Sequence, residues 1–161
     1  ITKWGLSRQL NCSPERAEQI IDEYKIRFKG IDTFLATCVA QAIEFGYVKT
    51  IGHRRRQIRN IHATNHQQQA LAERVAINSV VQGSAADLIK VAMNNVHTRL
   101  TEEFPEARLL MQIHDELVVE TPKQDAHAVR DLLVEVMESA MELVVPIVAD
   151  ASIGKNWAEC K

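Results

Sequence analysis

The apolar pattern of this chain changes period once, after Leu100, and that change limits the fold more than any other feature. Up to that point apolar residues recur at helical spacing. Beyond it come two largely apolar runs, residues 107–113 and 117–120, with His114-Asp115-Glu116 between them. Two buried-type strands joined by a three-residue polar link read as a tight hairpin. Pro122 stops the second strand. The expected class is α+β: helices first, then a small antiparallel sheet with helices packed on it.

Ser13-Pro14-Glu15 carries the signature of a helix start: a hydroxyl cap, proline in the first turn and an acid at the positive end of the dipole. Ala17, Ile20, Ile21, Tyr24 and Phe28 continue that helix at the right spacing, and Gly30 is expected to end it. Ile31, Phe34, Leu35, Cys38, Val39 and Ala42 share one face of a second helix, with Gly46 in the C′ position. Residues 47–51 and 54–58 read as strands joined at Gly52-His53. Residues 60–69 read as a polar loop. The helical pattern over 70–100 is too long for an ordinary helix, so a break is expected near 79–83. Residues 125–143 form an amphipathic helix with Val129, Leu132, Leu133, Val136 and Met137 inward. Residues 144–153 are expected to be a final strand.

Composition excludes several classes. Of 161 residues, 46% are hydrophobic and 25% charged, the balance of a globular domain rather than a disordered tail, a collagen-like repeat or a disulfide scaffold. No stretch approaches the ~20 apolar residues that span a bilayer. No basic, apolar leader stands at the N-terminus, and the chain opens on Ile1, so it reads as a piece of something longer. Cys12, Cys38 and Cys160 are scattered and show no CxxC spacing, which argues against zinc and for a reducing, cytoplasmic compartment.

Net charge is −2, but it is unevenly spread. Residues 45–72 hold Lys49, Arg54, Arg55, Arg56 and Arg59 and no Asp or Glu. With those five set aside, fourteen Lys and Arg face twenty-one Asp and Glu. A basic surface on an otherwise acidic protein suits a polyanion, and equally suits a solvated arginine cluster paired to acids elsewhere.

Two further features could carry chemistry. Adjacent acids at a hairpin tip are held by the strands on either side, and a fixed carboxylate is a good hard-oxygen ligand for Mg²⁺. An ordinary Asp turn uses the same atoms. Glu120 and Asp150 could join as further ligands if the fold brings them close. The second feature is Glu73-Arg74 through Asn78, continuing to Gln82-Gly83-Ser84-Ala85-Ala86-Asp87. Asn78 and Gln82, four apart, share a face of a continuous helix. Their amides could donate to minor-groove acceptors common to every base pair. Gly83, Ala85 and Ala86 leave room for a neighbouring backbone. A polar helix face beside a small-residue seam is the alternative.

The ordered set Gly46-Tyr47-Val48-Lys49-Thr50, Arg54-Arg55, Glu73-Arg74, Asn78, Gln82 to Asp87, His114-Asp115-Glu116 and Gly154-Lys155-Asn156-Trp157 resembles the C-terminal fingers and palm portion of a family A DNA polymerase, the bacterial DNA polymerase I type. The resemblance covers essentially the whole chain. It implies helices of the fingers over 1–66 and part of the palm, with its antiparallel sheet, over 67–161. It implies that Asp115 is the catalytic, metal-ligating aspartate and that Glu116 supports it. His114 would approach the primer terminus, Asn78 and Gln82 would contact template and primer, and Arg54 and Arg55 would lie near the DNA backbone. Arg56 is a weaker transfer. Three positions depart from the family pattern: His53 stands for Gly, Arg59 for Pro and Val80 for Pro.

The implied activity is DNA-directed DNA synthesis by two-metal nucleotidyl transfer, using two Mg²⁺ ions, primer-template DNA and deoxynucleoside triphosphates, in replication or repair. The family's other catalytic aspartate and its nucleotide-gripping helix precede the part matched here, so this chain alone is expected to be inactive. No membrane partner is implied. An exposed sheet edge favours self-association. Two rival readings remain: a non-catalytic nucleic-acid-binding module on a palm scaffold, and a metal-dependent phosphohydrolase using Asp115 and Glu116, with Asp150 as a further candidate.

Overall fold

A computed structural model describes residues 2–160. Three helices come first: α1 (Lys3–Leu10), α2 (Pro14–Arg27) and α3 (Lys29–Phe45). The antiparallel pair β1 (Tyr47–Lys49) and β2 (Arg55–Gln57) follows, then the long helix α4 (His66–Glu103). A second antiparallel pair, β3 (Arg108–Ile113) and β4 (Glu116–Glu120), leads to α5 (Ala126–Glu138) and a terminal 3-10 turn at Trp157–Cys160. Helices precede a small antiparallel sheet, as the change of period requires.

The chain forms two compact units. One holds the residues up to Lys49 with Arg54–Val80; the other holds Thr50–His53 with the residues from Val81 onward. In the first, Ala42, Val48, Ile58, Ile61, Ala72 and Ala76 form a buried core, with Val80 packed on it. In the second, Val96 and Leu100 of α4 meet Val129, Leu132 and Val136 of α5. Leu109, Leu117 and Val119 supply the inner face of the β3–β4 pair.

Local signals explain the first helices. Ser13 accepts a hydrogen bond from the Arg16 amide at 3.2 Å, and Pro14 occupies the first turn, which satisfies one orphan donor and pre-sets the backbone. Gly30 does not end α2. Phe28 caps it instead, and Gly30 lies in the first turn of α3. Gly46 closes α3 in the left-handed conformation at φ 73°. The helix α1 has its own start: Thr2 accepts from the Gly5 amide.

Four further expectations fail. The break near 79–83 is absent, because α4 runs unbroken through those positions. An interior glycine costs only about 1 kcal/mol against alanine, and α4 is anchored on one side by Ala72 and Ala76 and on the other by Ile89, Ala92, Val96 and Leu100. The polar segment is shorter than expected, because α4 begins at His66, where the Asn65 side chain caps the amides of Gln67 and Gln68. Residues 144–153 form no strand. A strand needs a partner for its amides, and none of the described strands pairs with this segment. Val144, Val145 and Val148 stand exposed, and the Ala149 amide donates to the Glu138 carboxylate instead. The last helix also stops early, at Glu138 rather than 143.

No helix among the described residues is long and apolar enough to cross a membrane.

Candidate active-site hairpin and nucleic-acid interface

The β3–β4 hairpin is tighter than a three-residue link. Ile113 pairs with Glu116, so only His114 and Asp115 form the turn and Glu116 opens β4. His114 takes φ 53°. Positive φ on the first turn residue is the placement of a type II′ turn, whose twist matches the flanking strands and whose usual occupant is glycine. A histidine held there is strained. The Gln112 side chain donates to the His114 carbonyl at 2.8 Å and braces the tip.

Below the tip the ladder is irregular between Leu109 and Met111. One extra residue at Leu110 shifts the alternation, so Leu109 packs on the core while Leu110 and Met111 are exposed. The hairpin is thus held from beneath by the α4–α5 core, and His114, Asp115 and Glu116 are all exposed at its end. Two neighbouring carboxylates sit on a stiff support.

Glu120 and Asp150 do not join them. Glu120 is at the far end of β4, about 13 Å along the strand from Glu116 at the usual rise. Asp150 lies in the irregular segment after α5. Among the described residues no three His, Cys, Asp or Glu side chains come together as a metal cage. Two hard carboxylates without a cage do not fit an all-protein metal site. They do fit Mg²⁺, which keeps its waters and takes one or two carboxylates plus substrate phosphates.

The basic segment is organised by the other hairpin. Tyr47 pairs with Gln57 and Lys49 with Arg55 across β1–β2. The Arg55 guanidinium lies 4.9 Å from the centroid of the Tyr47 ring, a cation–π contact that limits where this charge can swing. Arg54, Arg55, Arg56 and Arg59 are exposed, whereas Ile58 between them is buried and fixes the segment to its core.

The tip of this hairpin, residues 50–53, packs on α4. The Thr50 hydroxyl donates to the Asp87 carboxylate, and the Ile51 amide donates to the Ser84 hydroxyl at 2.9 Å. A side chain at Gly52 would stand 3.0 Å from the Asp87 carboxylate. The tip rests on Ser84 and Asp87, which stand among the small residues Gly83, Ala85 and Ala86 in the sequence. The clamping roles of Thr50, Ser84 and Asp87 were missed from sequence because they join positions more than thirty residues apart. The only local signal was the run of small residues beside a serine and an aspartate.

His53 ends the same turn, donating its amide to the Thr50 carbonyl at 2.9 Å, with φ 60°. Asn78 and Gln82 are exposed on unbroken α4, one turn apart. Arg54, Arg55 and Asn78 belong to the first compact unit; Gln82, His114, Asp115 and Glu116 belong to the second.

Comparison with known proteins agrees in every case. A model of DNA polymerase family A matches residues 1–159. DNA polymerase I of Lactococcus lactis subsp. cremoris is 41% identical over the whole chain, and that of Bacillus caldotenax 42%. This chain spans 18% of the length of each of these curated relatives. Among solved structures, the POL domain of Pol1 from M. smegmatis, in complex with DNA primer-template and dNTP, superimposes with a TM-score of 0.91 at 36% identity. The match covers 99% of this chain and 28% of that one.

Proposed function

The chain belongs to DNA polymerase family A, and from that membership we propose that it is part of a DNA-directed DNA polymerase, with Asp115 and Glu116 at its catalytic centre. Residues 1–66 then belong to the fingers and 67–161 to the palm. The observation that carries this is the pair of exposed carboxylates at the end of a hairpin whose other end is fixed in a core. Family membership and an acid-free basic segment on the same chain support it.

In the proposed reaction the primer 3′-hydroxyl attacks the α-phosphorus of a deoxynucleoside triphosphate. A new O3′–P bond forms as the bond to the β-phosphate bridging oxygen breaks, and pyrophosphate leaves. Asp115 offers carboxylate oxygens as metal ligands at this centre, and Glu116 adds a second carboxylate beside it. Bound Mg²⁺, two ions in this reading, supplies activation of the hydroxyl and neutralisation of the leaving group. Arg54 and Arg55 hold phosphates without regard to sequence. Asn78 and Gln82 donate to minor-groove acceptors of the template and primer, sensing pair shape rather than identity. His114 faces the primer terminus. The three free cysteines fit a reducing, cytoplasmic setting. Two carboxylates are an incomplete ligand set, so this chain alone should not extend a primer.

Primer extension by the full-length protein that carries this chain, with Mg²⁺ and four deoxynucleotides, tests the reading. Asp115→Ala should abolish extension and leave DNA binding within about threefold, since a metal ligand contributes little to phosphate contacts. Loss of binding in step with extension would remove Asp115 from the metal role. An intact wild type that binds DNA but never extends it would leave a binding module.

A further inference from the structure

The register of β1–β2 puts two cations face to face. Lys49 pairs with Arg55, so their side chains leave the same face of the pair, with Cβ atoms about 5 Å apart. Tyr47, two residues before Lys49, shares that face. Val48 between them points the other way and is fully buried. Like charges directly opposite each other destabilise a ladder. Among the described residues no carboxylate pairs with Lys49 or Arg55 to offset this, and no Asp or Glu stands between Glu44 and Glu73.

The face is nonetheless firmly held. The Lys49 amide donates to the Gln41 side chain at 3.1 Å, which ties β1 to α3. The Tyr47 ring packs beside Phe45, with centroids 5.8 Å apart, and the Arg55 guanidinium lies over the Tyr47 ring. The direct partner of Tyr47 is Gln57, so Arg55 reaches the ring across a diagonal, as long side chains do.

We propose that Lys49 and Arg55 together seat one backbone phosphate of the DNA, with Tyr47 as the positioning residue that holds Arg55 for it. The inference rests on the polymerase reading, in which Arg55 lies at the DNA backbone, and adds Lys49 as a ligand and Tyr47 as its organiser. Two cations at the spacing of opposed strand residues can reach one phosphate group. Arg55 supplies a planar fork and Lys49 a point charge. A guanidinium over a ring can keep its N–H edges free for the anion. The bound phosphate then relieves the repulsion that the ladder carries without it.

The test measures the affinity of the full-length protein for a primer-template duplex across a salt series. Lys49→Gln should lower affinity about fivefold and reduce the slope of log K against log salt by about 0.9. In the DNA-free protein the same change should raise the urea midpoint, because it removes a like-charge pair. Unchanged affinity and slope would overturn the seat. Tyr47→Phe, which keeps the ring, should bind within about twofold of wild type. Tyr47→Leu should lose about threefold, and should lose nothing further when Arg55→Gln is already present. Equal loss in both backgrounds would mean that the ring acts through the fold, and would overturn the positioning role. Failure of the polymerase reading shows separately, as absence of extension by wild type.

Discussion

His53 and His114 carry nearly the same backbone angle, φ 60° and 53°, in two different turns. A side chain in the left-handed region costs roughly 1–2 kcal/mol. Glycine enters that region freely. His53→Gly should therefore raise stability, by up to about 1 kcal/mol once the extra unfolded-state freedom of glycine is subtracted. Urea denaturation checks this, and a loss would mean that the imidazole makes a compensating contact. Cys38 supplies a second expectation at this scale. Burial pushes its thiol above the usual range, against a smaller backbone hydrogen-bond effect, so little thiolate forms at neutral pH. In the native protein Cys12 and Cys160 should alkylate well before Cys38, read by mass spectrometry. Equal rates would show that the α3 face opens readily.

Helix α2 shows how well a local start signal can be read, although its end at Phe28 was not legible. Ser13, Pro14 and Glu15 announce its start, and all three take the expected places. Glu15 titrates below the usual carboxylate range because of its own backbone hydrogen bond and then the Ser13 hydroxyl. A lowered folded-state pKa means stability that is present above the unfolded value and lost as pH falls through the folded one. Ser13→Ala should cost about 1 kcal/mol and weaken that acid dependence. The test is a stability series from neutral pH to below the carboxylate range, compared with wild type. Helix α4 was less legible. Its length and Gly83 argued for a break, yet buried residues on both sides of the glycine outweigh a propensity cost of about 1 kcal/mol. The clamp of the β1–β2 tip on α4 could not be read at all. Thr50→Val there keeps the shape and removes a hydroxyl donor to a carboxylate, a loss of about 2 kcal/mol. Amide hydrogen exchange at Ile51 and His53 should speed up with it; unchanged protection would show that the Ser84 contact alone holds the tip.

Across the whole molecule each compact unit rests on its own core. Leu100, almost fully buried among Val96, Val129 and Val136, should cost about 2–5 kcal/mol when replaced by alanine. The loss should spread through β3–β4 and α5 in hydrogen exchange, because these elements share that core. Among the described residues the β3–β4 pair has two open edges, and Leu110, Met111, Val144, Val145 and Val148 are exposed in the same unit. Open edges and apolar surface favour pairing between copies. Light scattering of this chain should show mass rising with concentration, whereas a clean monomer at high concentration would contradict that.

The sequence by itself determined the fold class, the helix caps at Ser13 and Gly46, the two hairpins and the order of motifs that marks the family. These rest on neighbours in sequence: periodicity, turn chemistry and capping all act within a few residues. Tertiary structure alone decided that α4 stays whole, that residues 144–153 lack a strand partner, that a bulge turns Leu110 and Met111 outward, and that Asp87 grips Thr50. It also decided that Glu120 and Asp150 stay away from Asp115. Each of those depends on which distant residue arrives to bury a side chain or to pair an amide. A linear pattern states the need for a partner without saying which partner comes.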